Sequence, residues 1–234
     1  MNTNKQKTEI TDISLRTAAL ISGFSSILTA IVAGFAFGFV RTSLIVPGDA
    51  VVTVNNIMAS DIIFRAGIFA WLIIIILDLL VAWSLYVFFK PVNKSISLLT
   101  GWLGLVAATM AGIAQLNAVI VLPLISGSDY LKVFEPTQLH ALALLFLNAF
   151  YKIWSVGLFV FGFHLLLRGY LAFKSGFIPR IFGVLLLPNY EKYKATVDVI
   201  ISTPLAIGEL ALAFWLILKG GRFNTKKNRV PESI

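Results

Sequence analysis

The stretch AGIFAWLIIIILDLLVAWSLYVFF, residues 66–89, decides what kind of protein this is. It is apolar from end to end apart from one acid, Asp78, at its centre. At 1.5 Å per residue, ~20 residues of helix cover the ~30 Å hydrocarbon core of a bilayer, so the run reads as a transmembrane helix. A lone acid at mid-membrane costs ~2.5–3.5 kcal/mol on insertion scales. Asp78 is therefore expected to face protein, water or a partner charge rather than lipid.

The rest of the composition agrees. The 234 residues are 58% hydrophobic and 13% charged, with a mean hydropathy of +0.89, whereas roughly a quarter of a soluble domain is charged. The formal charge of +8 would suggest nucleic acid in a soluble protein. Here most basic residues flank apolar runs, where they set orientation and meet anionic headgroups, and no soluble segment carries an aromatic-interleaved basic patch. The expected partners are the lipid bilayer and anionic headgroups, met by the basic loops and tail, with a second copy of the chain as a further candidate and no nucleic acid. The sequence contains no cysteine, which excludes disulfides, thiolate catalysis and thiolate metal ligands.

Outward from the central run, residues 1–17 read as a polar tail, 18–219 as one membrane helical bundle and 220–234 as a basic tail. Residues 18–40 are too long an apolar run for a signal-peptide core and form the first span. Gly34 and Gly38 make a GxxxG pair there that would admit a second helix closely. The next segment, RTSLIVPGDAVVTVNNIMASDIIFR, is too polar to cross and too apolar to float free, and is expected as a short interfacial helix. Pro47-Gly48 would make the turn before it and Asp49 would cap it. Asp49, Asn56, Asp61 and Arg65 could line the mouth of a site or serve as caps and anchors. Residues 97–124 form a third span with Gly101, Gly104 and Gly112 as close-packing points and with Gln115 and Asn117 in its later half. Residues 140–167 form a fourth span with Asn148, Lys152 and His164, and 195–218 form the last, with Pro204 as a kink and Glu209 at its middle.

The blocks GDA, PVN (91–93), G-x-H, IPR-x-x-GVLL and GEL occur in that order. With them the chain resembles, over about residues 18–219, a family of uncharacterised bacterial multi-pass membrane proteins known as a domain of unknown function. The resemblance implies a six-helix bundle in the cytoplasmic membrane and supplies no substrate, cofactor or activity. One departure stands out: after GVLL at 183–186 the family pattern continues with apolar residues, whereas this sequence turns to LPNY at once. Residues 181–187 would reach only ~10 Å as helix. The expected fold is therefore all-α: an integral membrane bundle of five full-length transmembrane helices, one short helical segment and an interfacial helix. The amino terminus is placed in the cytoplasm of a plasma-membrane protein. Charge favours a crossing by the short segment and length opposes it, which leaves the side of the carboxyl terminus open.

Enzyme signatures are absent: no G-x-S-x-G, P-loop, G-x-G-x-x-G or H-E-x-x-H occurs. His140 and His164 lie ~36 Å apart along one helix and cannot share a metal within one chain, and no metal or cofactor is expected. The signal lies in ionisable residues at mid-span. Asp78, Lys152 and Glu209 fall at one depth, with Asn148 one turn before Lys152 on the same face. The expectation is that Asp78 and Lys152 pair, that Glu209 competes for the lysine, and that one of the two acids then holds a proton. Gln115 and Asn117 join this candidate polar centre, and Asp49, Asn56 and Arg65 form an outer group. The readings are small-solute or proton-coupled transport, a lipid-modifying membrane enzyme, or a non-catalytic sensor or scaffold. A wet cavity at mid-depth favours the first two; a dry ion pair favours the third.

Overall fold

Hydrocarbon offers a backbone no hydrogen-bond partners, so each long apolar run must satisfy its own amides and carbonyls as a helix. The computed structural model, which describes residues 13–176, 178 and 197–221, with the backbone alone over 197–206, is helical accordingly. Helix α1 spans Leu15–Ala33 and runs on through a wider π-helical segment, Gly34–Arg41, and a closing turn, Thr42–Leu44. The short α2 is Ala50–Ala59, α3 is Asp61–Phe89, α4 is Lys94–Ile125, α5 is Pro136–Lys174 and α6 is Val197–Lys219. No strand occurs among the described residues. Four stretches, Leu15–Leu44, α3, α4 and α5, are long and apolar enough to cross a membrane. The fold is a helical membrane bundle. The 181–187 segment and the shortened fifth span lie outside the described residues, as does most of each tail.

Capping residues fix where the helices begin. Ser14 Oγ accepts from the Thr17 amide at 3.0 Å, Asp49 Oδ1 from Val52 at 2.9 Å and Asn93 Oδ1 from Ile96 at 2.9 Å, starting α1, α2 and α4. Helix α5 opens on a Glu135/Gln138 capping box with Pro136 in its first turn. It also runs well past the apolar run at 140–167, ending at Lys174. The outward surface is oily: Ile62 is 82% exposed, Phe159 66% and Ile31 65%. In water such a surface would drive association, whereas against lipid it costs nothing.

Close contacts set the topology. A Cβ added to Gly23 of α1 would lie 2.8 Å from the carbonyl oxygen of Ala213 on α6, so the two backbones all but touch there. Arg16 Nη1 donates to the carbonyls of Leu216 at 3.1 Å and Gly220 at 3.0 Å, which caps the end of α6 with a residue from the start of α1. The end of α6 therefore stands beside the start of α1, and the two helices run antiparallel. Leu171 and Ala172, at the end of α5, pack into the same cluster as Ala18, Ala19, Leu212 and Leu216. Lys174 and Val197 consequently lie at opposite ends of the bundle. The side on which α6 ends, open from charge and length, is the side on which α1 begins. The Gly34/Gly38 pair has no such role among the described residues of this chain, since a Cβ at either position would meet nothing within 4 Å.

The core is layered along the bundle axis. Ala18, Leu85, Phe88, Leu165 and Leu212 pack at the terminal end, and Ala36, Ala70, Trp71, Ile74 and Phe150 form a middle layer. Val54 and Ile57 of α2 close the far end with Leu44, Val121 and Leu147. Between the terminal and middle layers the packing opens.

Candidate functional site

The opening is a cavity of about 420 Å³ to which α1, α3, α4, α5 and α6 all contribute. Its wall is mostly apolar, with Ala30, Ala33, Phe37, Trp71, Trp154 and Phe161 among its members, and it contains Asp78, His164, Arg168 and Glu209. Helix α4 gives only Gly104, Ala107, Ala108 and Ala111. These small residues leave the room, since longer side chains there would fill it.

Arg168 is the cation of the site. Its side chain is 2% exposed, and Nη1 donates to Glu209 Oε1 at 3.0 Å, while the Glu209 side chain, 32% exposed, belongs to a residue of the cavity wall. The remaining donors, Nε and Nη2, are buried and have no hydrogen-bond partner among the described residues. A buried donor left unpaired costs ~1–3 kcal/mol, more when charged, so this edge of the guanidinium is poised for an acceptor. One turn earlier on α5, His164 is buried, and its Nδ1–H donates to the Thr100 carbonyl at 2.8 Å. A carbonyl can only accept, which fixes the tautomer and leaves Nε2 as the acceptor. The ring stacks on Phe161 with centroids 5.6 Å apart. Asp78 borders the cavity from α3 and makes no hydrogen bond among the described residues. The site thus holds one cation, two acids and an imidazole.

Of the residues expected at the polar centre, the structure brings two together. Asp78 and Glu209 share one cavity, but the cation between the helices is Arg168 and not Lys152. Lys152 is exposed on the outer face of α5, as is Asn148 one turn before it, and neither lines the cavity. The predicted Asp78–Lys152 pair is absent, because the α5 face turned inward is the one carrying Gly157, Phe161, His164 and Arg168. Asn117 Nδ2 donates to carbonyls of its own helix, at Ile113 and Ala114, both at 3.2 Å. Gln115 is 2% exposed with neither amide atom partnered, and lines a separate pocket of about 50 Å³ nearer α2. Trp71 walls both spaces. Of the outer group, Asp49 caps α2, Asn56 Nδ2 lies 3.4 Å from the Leu44 carbonyl, and Arg65 pairs with Asp61 at 2.7 Å on the surface. None reaches the cavity. No group of His, Asp or Glu suited to a metal occurs among the described residues.

Arg168 escapes the sequence reading because it directly follows the apolar run and counts there as a loop charge. The signal was its four-residue spacing from His164 in GFHLLLRG, which puts both on one helical face. A charge-neutral replacement of Lys152 separates the two pairings. Lys152→Met is expected to change stability in detergent by less than about 0.5 kcal/mol, and a loss of several kcal/mol would reinstate the lysine as a buried partner.

A family model described as "Domain of unknown function (DUF4386)" matches residues 21–220. An "Uncharacterized protein" of Archaeoglobus fulgidus is 32% identical over 169 residues, covering 68% of this chain and 84% of that one. No solved structure matches.

Proposed function

We propose that this chain, which belongs to the family described as a domain of unknown function, DUF4386, carries a small solute across the membrane together with protons. The supporting observation is the cavity of about 420 Å³ within the bundle, with Asp78, Arg168, Glu209 and His164 on its wall. A dry ion pair would suffice for a scaffold. Space lined by ionisable groups inside a membrane bundle instead suits passage of solutes and protons. In this reading the termini face the cytoplasm of a plasma-membrane protein, where Arg16, Lys90, Lys94 and the basic tail meet anionic headgroups.

The experiment is reconstitution into liposomes loaded with a pH-sensitive dye, followed by an imposed pH gradient and a panel of small metabolites. The wild-type protein is expected to collapse the gradient faster with at least one solute than without, and Asp78→Asn to abolish the difference. Rates equal to those of protein-free vesicles across the panel would overturn the carrier reading.

A further inference from the structure

The unpaired edge of Arg168 carries more than a general polar centre. Arg168 is 1% exposed, Nη1 is committed to Glu209, and Nε and Nη2, adjacent on one edge, have no partner among the described residues. That edge forms a planar fork whose two parallel N–H groups match the two oxygens of a carboxylate. Arg168 is part of the cavity wall, which is otherwise largely aliphatic and aromatic: Ala107, Ala111 and Leu158 line it with Trp71 and Trp154. The chemistry asks for an oxyanion at one end of the occupant and an apolar body at the other.

Charge restricts it further. Arg168 and Glu209 neutralise one another, and Asp78 is left over. The titratable groups that share the cavity wall with Asp78 are Arg168 and His164 from α5 and Glu209 from α6, while α1 contributes the neutral Ser26 and Thr29 and α4 nothing titratable. An incoming anion adds a second uncompensated negative charge in a space enclosed by helices, where like charges repel more strongly than in bulk water. A proton arriving with the anion removes the conflict, and Asp78, the acid with no hydrogen bond among the described residues, is the group placed to receive it.

We propose that the cavity binds a small monocarboxylate with an apolar body, its carboxylate on the Nε/Nη2 edge of Arg168, and that a proton is taken up with it. This rests on the carrier reading for its physiological meaning, but its binding chemistry is testable alone. The proton comes from solvent, and no covalent bond to carbon is made or broken.

Trp71 and Trp154 line the space, so occupancy is readable as a change in tryptophan fluorescence of the purified protein in detergent. Hexanoate and benzoate are the probes, with hexanamide and benzamide as neutral isosteres, and leucine and phenylalanine as zwitterions. The carboxylates are expected to bind more tightly than their amides by roughly tenfold or more, and more tightly as pH falls. In weakly buffered solution they should draw up about one proton per molecule bound. Arg168→Lys, which keeps the charge and loses the fork, should weaken them by roughly tenfold. Asp78→Asn should still bind them without proton uptake. Amides binding as well as acids, zwitterions binding in place of simple carboxylates, or carboxylate binding with no proton uptake would each overturn the proposal. The isostere comparison uses the wild-type protein and holds even where a variant fails to fold. Carboxylate binding without flux in liposomes would sink the carrier reading and leave this one standing; gradient collapse by solutes unrelated to carboxylates would do the reverse.

Discussion

Replacing Arg168 by Ala is expected to be the most damaging single change in the bundle. The wild-type side chain is 2% exposed and pairs with Glu209 at 3.0 Å. Its removal leaves Glu209 and Asp78 lining one cavity with no cation beside them. Truncating one partner of a buried ion pair costs ~3–5 kcal/mol, because the other is left uncompensated. Thermal unfolding in detergent micelles should show a loss of that size. Glu209→Gln keeps an acceptor for Nη1 and should cost less. The double replacement Arg168→Met with Glu209→Met should recover most of the loss, since a packed apolar pair can replace a buried ionic one. An Arg168→Ala protein as stable as wild type would show that the pair contributes nothing to the fold.

Gly104→Ala should be the next most damaging. A Cβ at Gly104 would sit 2.9 Å from Ala82 Cβ on α3 and 3.2 Å from both Cε1 and Nδ1 of the His164 ring on α5. Neither neighbour can swing away, because Ala82 has no further rotamer and His164 is tied to the Thr100 carbonyl at 2.8 Å. Helix α4 has to move outward, at the ~1–3 kcal/mol typical of overpacking, and the histidine bond lengthens with it. Gly112 is the internal control. Its added methyl would meet only Ile75 Cδ1, at 3.9 Å, and Ala is the better helix former by ~0.8–1 kcal/mol. Gly112→Ala is therefore expected to be neutral or stabilising in the same assay, and equal losses at both positions would mean that the contact around His164 is not what limits packing.

Much of the bundle was legible because its determinants are local. Apolar length marked the long helices, and Asp49, at the turn after Pro47-Gly48, marked the start of α2. Those signals depend on backbone satisfaction in lipid and on orphan amides at helix starts, both properties of a short stretch of chain. The Gly34/Gly38 pair shows the limit of a local signal, since the spacing is present and no described residue of another helix approaches it. Among the span glycines only the neighbours tell Gly104 from Gly112.

By itself the sequence determined that this is a helical membrane protein and that Asp78 and Glu209 must turn away from lipid, because depth follows from position along an apolar helix and the penalty for a bare charge does not depend on its partners. Only the tertiary structure decided which cation they meet. Lys152 and Arg168 are separated by 16 positions on α5 and either could be drawn inward. The rotation of α5 about its axis is set by where Gly157 meets Met110 and where His164 meets Gly104, contacts between helices distant in the chain. Those contacts turn the Arg168 face inward and leave the Lys152 side chain outside.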